Sequence, residues 1–348
     1  MALSLENLFE LAVEQHASDL HVAVGLPPTY RINGELVPRK ELPVVEPRMA
    51  EELCYTLLNE AQKRRFQTER ELDLGYQIKD GTRFRINLHW ERDNAGMVAR
   101  VIPIEIPTLK ELGMPNIVFD LLRLDQGLIL FTGPTGCGKS TSLAAMINLI
   151  NEERTAHIVT LEDPIEFVYT PKRCIIKQRQ LGTDMLSFGE GLKHVVRQDP
   201  NVILVGEMRD LETISSTITL AETGHLVFAT LHTFSAAQTV DRIIDVFPPH
   251  QQNQVRMQLS LFLKGVISQR LMPRKSGGRI AAREILINTP AISNLIRENK
   301  IAQIKTSIQT SSEYGMTTMD QDLKRLYELG EVEKEVAIAH MTNPEALD

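Results

Sequence analysis

Residues 133–140 have the spacing G-x-x-x-x-G-K-[ST] of a loop that binds nucleotide phosphates. Its glycines let backbone N–H groups close around phosphate oxygens, and a helix beginning at the loop adds a favourable dipole. In this pattern the lysine reaches the β- and γ-phosphates and the final hydroxyl is a ligand of Mg²⁺. We therefore predict that ATP and Mg²⁺ are bound by Gly133, Pro134, Thr135, Gly136, Cys137, Gly138, Lys139, Ser140 and Thr141.

Acidic residues follow a predicted strand at 157–161. Glu162, Asp163 and Glu166 could hold Mg²⁺ through water or polarise the attacking water, and they could equally form a capped turn. Because a loop of the 133–140 type is predicted in the same sheet, we favour the functional interpretation. We predict Ser140, Glu162 and Asp163 as the residues nearest the metal ion.

Glu207 comes directly after another apolar run, at 202–206. This run is similar to the second nucleotide-binding strand of P-loop ATPases, but Gly206 stands where an aspartate usually binds Mg²⁺. Glu207 is therefore our first candidate for the general base, with Glu162 second. Arg209 is expected to form an ion pair with a nearby acid.

Two histidines, His225 and His232, bracket the predicted strand 226–231. Single histidines are mostly hydrogen-bonded structural groups. At the ends of a strand in a P-loop domain, however, they could sense the γ-phosphate, so we predict nucleotide contact for His225 and a catalytic role for His232. No cysteine or third histidine lies near them in the sequence, which disfavours a zinc site.

The elements that must position these residues alternate along the chain, which predicts an α/β fold with a mostly parallel sheet. After Arg270 we expect the chain to become helical again. The predicted strands are 128–132, 157–161, 202–206 and 226–231, and the predicted helices are 139–151, 187–198, 210–223, 292–298 and 320–329.

Residues 1–102 predict a smaller α+β domain, and the paired prolines after them predict a linker at 103–112 before an ATPase domain at 113–348. Alternating residues around a turn at 80–81 predict a hairpin with Arg83 and Arg85 on its polar face, about 7 Å apart. Arg100 lies in the next strand. These arginines are either solvated or form a cationic arm that reaches a phosphate.

The overall composition is that of a globular protein, with 348 residues, 43% hydrophobic and 24% charged. The formal net charge of −7 disfavours a broad nucleic-acid or anionic-membrane surface. The three cysteines are far apart, and we predict neither a signal peptide nor a membrane-inserted segment. We expect a cytoplasmic protein.

Four stretches together resemble the secretion and pilus ATPase superfamily: 133–140, 160–167, 202–210 and 224–233. Residues 291–298 further resemble the retraction motif of one branch, the type IV pilus retraction ATPases, with Ser293 in place of an arginine. Segments 17–21 and 315–320 are also similar to that branch. The motif has a second interpretation as an amphipathic helix that buries Ala291, Ile292, Leu295 and Ile296.

The resemblance implies a homohexamer whose subunits have a PAS-like N-terminal domain and a RecA-like P-loop ATPase domain. It implies that ATP lies between the domains and that Arg83, Arg85 and Arg100 approach the phosphates. It also implies a pilus platform protein of the inner membrane as partner and a peripheral location at the inner-membrane base of the pilus machine. The tetracysteine site and long N-terminal extension of the extension branch are missing from this sequence, which favours retraction.

Three alternatives stay open. The protein could be a pilus-extension or type II secretion ATPase. It could be an accessory subunit that binds ATP without hydrolysing it, although Lys139 and Glu207 argue against this. A nucleic-acid translocase would share the RecA-like core, but the acidic composition lowers the expectation of such a partner.

Overall fold

The computed structural model describes residues 4–32, 34–102 and 105–347 and divides into two compact units. The first unit comprises Met1–Glu105 and Pro164–Val168, and the second comprises Ile106–Asp163 and Tyr169–Asp348. The predicted linker 103–112 is thus divided between them, and its residues 103 and 104 lie outside the described part of the chain.

Within its described residues, the first unit contains three helices and a six-stranded antiparallel sheet of order β3-β2-β1-β6-β5-β4. Its core includes Phe9, Tyr30, Phe66 and Phe84. Alternating burial along β5 turns the arginines away from this core. The elements are α1 (Leu5–Glu14), β1 (Asp19–Val22), β2 (Thr29–Ile32), β3 (Glu35–Pro38), α2 (Pro47–Thr56), α3 (Glu60–Glu69), β4 (Glu71–Gln77), β5 (Arg83–Glu91) and β6 (Asn94–Ile102).

The second unit is built on a seven-stranded sheet, counted over its described residues, of order β13-β12-β7-β11-β10-β8-β9. Neighbouring strands are parallel except β12 and β13. The strands are β7 (Gly127–Thr132), β8 (His157–Glu162), β9 (Ile175–Gln180), β10 (Val202–Val205), β11 (Leu226–Leu231), β12 (Leu263–Pro273) and β13 (Arg279–Ile287). Every residue of β7, β10 and β11 is buried, as expected for parallel strands covered on both faces.

Helices of the second unit cover this sheet. They are α4 (Asn116–Leu122), α5 (Lys139–Glu153), α6 (Phe188–Val195), α7 (Leu211–Glu222), α8 (Ala236–Asp245), α9 (Pro249–Phe262), α10 (Pro290–Arg297), α11 (Ile304–Thr310), α12 (Met319–Glu328) and α13 (Lys334–His340). The Asp210 carboxylate accepts the Thr213 N–H and caps α7, as its sequence position suggests. The α/β class and the parallel sheet are confirmed.

The helices expected after Arg270 are present as α10 and α12, but the chain first forms a strand pair that the sequence pattern does not predict. Strand β12 continues to Pro273, and β13 follows at its side as a hairpin partner. The apolar pattern of a buried strand is interrupted in β13 by two charged residues, Arg283 and Glu284. Both are buried, with no more than 5% of their surface exposed. Such residues are rarely buried without partners, so a sequence pattern assigns them to the surface.

Candidate functional site

The predicted site residues of the second unit gather where parallel strands end. Residues 133–140 follow β7, His232 follows β11, Glu207 follows β10 beyond Gly206, and Glu162 ends β8. These four strands are neighbours in the order β7-β11-β10-β8, in register. The carboxyl edge of such a sheet is the usual place for a ligand in α/β proteins.

The P-loop (residues 133–140) turns through left-handed backbone at three glycines, with φ of 143° at Gly133, 78° at Gly136 and 84° at Gly138. Helix α5 begins at Lys139, whose Nζ donates to the carbonyls of Gly133 (2.7 Å) and Pro134 (3.0 Å). A buried ammonium is thus held within the loop beside a helix N-terminus, which is an arrangement suited to phosphate.

Cys137 is buried in the P-loop, and burial raises the pKa of its thiol despite the opposing charge of Lys139. The thiol is therefore neutral at physiological pH. A neutral, buried thiol acts as a small apolar side chain, which agrees with a structural role in the loop.

Glu207 is bound by two basic side chains. Its Oε1 lies 3.1 Å from His232 Nε2, and its Oε2 accepts a hydrogen bond from Arg209 Nη2 at 2.9 Å. Arg209 also lies 3.9 Å from Asp163, so the predicted ion pair of Arg209 is confirmed. Burial raises the pKa of Glu207, but Arg209 and His232 outweigh this and hold it below its ordinary value. The carboxylate is therefore ionised at neutral pH.

Glu162 is the more buried of the two candidate bases, with 8% of its surface exposed. Its Oε1 accepts hydrogen bonds from Thr160 Oγ1 at 2.5 Å and from Gln178 Nε2 at 3.2 Å. These bonds orient the carboxylate. The two partners come from β8 itself and from β9, which is the adjacent strand.

Gly206 has a steric explanation. A Cβ atom there would lie 3.1 Å from the carbonyl oxygen of Leu161 and 3.3 Å from Cα of Glu162. The Gly206 N–H donates to Leu161 O at 2.8 Å, and Thr230 Oγ1 donates to the Gly206 carbonyl at 2.5 Å. The backbones approach so closely that an aspartate at this position would require the strands to move apart.

The prediction that His225 contacts the nucleotide is wrong for the P-loop of its own chain. The His225 carbonyl accepts the Gly127 N–H, at the start of β7, whereas the P-loop follows the end of that strand. Six strand residues separate the two ends, about 20 Å. The His225 ring instead lies against the end of α7, with Nδ1 2.9 Å from the Leu220 carbonyl.

The three predicted arginines belong to the first unit. Arg85 and Arg100 are directly opposite each other on β5 and β6. Arg100 Nε donates to the buried Asp19 carboxylate at 2.8 Å, and Arg85 lies 3.9 Å from Glu166. The Arg83 guanidinium lies over Gly75 of β4, where a Cβ atom would come within 2.7 Å of Nη2. Glu166 also belongs to the first unit, whereas Glu162 and Asp163 belong to the second.

Several residues that support the site were missed in the sequence. Gln178 orients Glu162, and Gln269 with Arg283 contacts the P-loop network from β12 and β13. None of them lies within a recognisable motif. Their partners are 16, 132 and 14 residues away, so only the folded sheet brings these groups together.

The Arg209 ion pair leads to a pH prediction. We expect Arg209→Met to raise the Glu207 pKa, because burial then acts against His232 alone. The acidic limb of the profile of kcat/KM for ATP hydrolysis should therefore move to higher pH. Arg209→Lys keeps the charge and should stay near wild type. An unshifted limb in Arg209→Met would show that Glu207 does not govern the profile.

A glycine loop between a buried parallel strand and a helix N-terminus, with acids after neighbouring strands, defines a P-loop nucleotide-binding protein. Residues 2–337 match the sequence profile of the family described as type II/IV secretion system protein. The chain belongs to that family, and its second unit has the RecA-like fold.

Individual relatives are similar over almost the whole chain. The type IV pilus retraction ATPase PilT of Pseudomonas aeruginosa is 46% identical over 99% of both chains. A twitching motility protein of Neisseria gonorrhoeae is 44% identical over 100% of this chain and 93% of its own. A crystal structure of the pilus retraction motor PilT with bound ADP has 43% identity and a TM-score of 0.93, covering 99% of both chains.

Two features are missing from residues 4–32, 34–102 and 105–347. In that part of the chain no helix combines the length and apolar character needed to cross a bilayer. The same residues contain no group of three or more histidine, cysteine, aspartate or glutamate side chains arranged to hold a metal ion.

Proposed function

We propose that the protein is an ATP-hydrolysing motor that powers retraction of a type IV pilus. The observation that carries this proposal is similarity to a pilus retraction ATPase over 99% of both chains, joined to an intact P-loop and an ionised Glu207. The retraction motor described with bound ADP supports the same nucleotide class for this chain.

Phosphate binding follows from the loop geometry. Lys139 Nζ now rests on two loop carbonyls, and the bound phosphates would offer it stronger, charged acceptors. The 15-residue helix α5 adds its N-terminal dipole. His232 Nε2 lies 3.1 Å from Glu207 Oε1, which supports the proposal that His232 responds to the γ-phosphate through that carboxylate.

Ser140, Glu162 and Asp163 are the residues that would hold Mg²⁺. They fit an ion that arrives with the nucleotide, because Mg²⁺ keeps several waters and uses few protein ligands besides phosphate oxygens. The described residues contain no three-ligand cluster that would bind it independently. When bound, Mg²⁺ would neutralise charge on the β- and γ-phosphates.

Glu207 is the general base in this proposal. Its carboxylate is ionised and about one quarter exposed, so a water molecule can reach it. Glu162 is nearly buried and already accepts hydrogen bonds from Thr160 and Gln178. We assign Glu162 the role of orienting water around the metal ion rather than removing a proton.

We propose that Arg83, Arg85 and Arg100 approach the phosphates of ATP in a homohexameric ring. Arg100 is bound to Asp19 and Arg85 lies near Glu166, so their approach to phosphate requires exchange of these acidic partners. Arg83→Ala tests this role directly, because it removes one of the three guanidinium groups, the one that lies over Gly75 of β4. We propose a peripheral location at the inner-membrane base of the pilus machine.

Helix α10, which contains residues 291–297 of the retraction motif, is the proposed coupling element. Ile292 and Ile296 are buried and Leu295 is half-buried, whereas Ala291 is exposed, contrary to the amphipathic interpretation of that residue. Ser293 Oγ donates to the Ser260 carbonyl at 2.6 Å, so the motif is attached to α9. Movement of α10 and α9 together could act on a pilus platform protein.

Deletion of the gene tests the direction of the motor. We expect labelled pili to persist and fail to retract, with twitching lost, and wild-type protein but not Lys139→Ala should restore both. Lys172→Ala is a matched control, since Lys172 forms a surface ion pair with Glu152. Loss of pili would instead indicate an extension ATPase, and loss of a secreted protein with normal pili would indicate a secretion ATPase.

A further inference from the structure

Gln269 of β12 lies directly beside the P-loop. Strand β12 is parallel to β7, and Ser268 pairs with Thr132, whose hydroxyls are 2.8 Å apart. Gln269 and Gly133 follow Ser268 and Thr132 in the sequence, so they also lie next to each other. A Cβ atom on Gly133 would lie 2.3 Å from the Gln269 carbonyl oxygen, so the two backbones are in contact.

The Gln269 side chain makes three hydrogen bonds. Its Nε2 donates to the Cys137 carbonyl at 2.7 Å, and its Oε1 accepts from Ser142 Oγ at 3.1 Å and from Arg283 Nε at 2.8 Å. Because a guanidinium only donates, Arg283 requires the amide oxygen to face it. The amide N–H₂ is therefore directed at the P-loop.

This bond sets the orientation of one P-loop peptide. In a trans peptide the carbonyl and the following N–H point in opposite directions. A Cys137 carbonyl fixed on Gln269 thus turns the Gly138 N–H away from β12. P-loop proteins bind phosphate with such N–H groups, so an unfixed 137–138 peptide would present this donor less consistently.

Arg283 extends the network in the other direction. It is the cross-strand partner of Gln269, and its Nη1 and Nη2 donate to the carbonyls of Gly113 (3.1 Å) and Leu112 (2.9 Å). Burial lowers its pKa to about 10, so it remains charged at neutral pH. We call residues 108–113 the entry turn, because the chain enters the second unit at Ile106.

We propose that Gln269 is a positioning residue for the P-loop, aligned by Arg283, and that the pair couples nucleotide affinity to the entry turn. Displacement of the turn would draw Arg283 from Gln269 and release the Cys137 carbonyl. The inference rests on the proposed nucleotide-binding function and adds residues outside the P-loop that control it.

Gln269→Glu is the most selective test. The carboxylate keeps acceptors for Arg283 and Ser142 but replaces the donor to the Cys137 carbonyl with an acceptor. With the full-length protein and a fluorescent ADP analogue, we expect Kd to rise about tenfold. In ATP hydrolysis KM should rise similarly, with kcat within about threefold of wild type. The midpoint of thermal unfolding should change little.

A matched control separates positioning from stability. Arg154 donates to the carbonyls of Leu122 (3.0 Å) and Leu124 (2.7 Å) without contacting the P-loop or Gln269. We expect Arg283→Met and Arg154→Met both to lower the unfolding midpoint, and Arg283→Met alone to raise Kd. In a Gln269→Leu background, Arg283→Met should raise Kd by less than about twofold, because its effect passes through Gln269.

Two results would overturn the proposal. One is a Kd for Gln269→Glu within about twofold of wild type, which remains decisive even if Arg283→Met does not fold. The other is independent, multiplicative effects of Gln269→Leu and Arg283→Met. Wild-type protein that binds no nucleotide would overturn the proposed function itself, and this inference with it.

Discussion

Glu207→Gln is expected to lower ATP turnover by about 10²–10⁴-fold while nucleotide affinity stays within about threefold of wild type. Glutamine keeps the size of the side chain and can still contact Arg209 and His232. It cannot accept a proton from the attacking water. The expected loss corresponds to about 3–5 kcal/mol of transition-state stabilisation, measured as phosphate release at saturating ATP.

Two variants control this experiment. Glu190→Gln makes the same chemical change on α6, where Glu190 is exposed and pairs with Lys193, and should hydrolyse ATP at the wild-type rate. Glu162→Gln separates the candidate bases. Full turnover in Glu207→Gln with loss in Glu162→Gln would reverse the assignment of the two acids. ATP binding without turnover in the wild type would favour the accessory-subunit alternative.

The central strands could be predicted because their signal is local. Strands β7, β8, β10 and β11 are short apolar runs, and the predicted bounds agree with the structure to within one residue at each end. Burial on both faces of a parallel sheet demands such runs. The position of the P-loop and of Glu207 follows directly, because each comes immediately after one of these strands.

The supporting network could not be predicted because its bonds join distant residues. Arg283 donates to the carbonyls of Leu112 and Gly113, which are 171 and 170 positions away in the sequence. Arg100 reaches Asp19 across 81 positions. A charged residue in a sequence looks solvated until such a partner is known.

Gly206 and His225 illustrate two different limits. The sequence reveals that Gly206 replaces an expected aspartate, but the reason is the close approach of the Leu161–Glu162 backbone, which only the fold provides. His225 lies near a site motif in sequence, yet one strand length separates it from the P-loop edge. A residue that is close to a site motif in the sequence can therefore lie at the opposite end of the strand from the carboxyl edge.

Gly133→Ala is the second substitution with a large expected effect. The added Cβ atom would lie 2.3 Å from the Gln269 carbonyl oxygen and 2.7 Å from Cys137 Sγ, at a φ of 143°. The thiol could move, but Gln269 is held within β12 between two paired strands. We expect a loss of about 3 kcal/mol in stability and at least a tenfold loss of nucleotide affinity, because the P-loop must shift away from the strand.

Gly136→Ala is the matched comparison within the same loop. Gly136 also has a positive φ, 78°, but a Cβ atom there meets no other atom within 4 Å. Its cost should be the backbone strain alone, about 1 kcal/mol. Urea unfolding and titration with ADP measure both variants under the same conditions. Equal losses of stability and ADP affinity in the two variants would show that backbone strain, rather than contact with Gln269, restricts position 133 to glycine. A much larger loss in Gly133→Ala would establish the β12 backbone as the surface against which the P-loop is set.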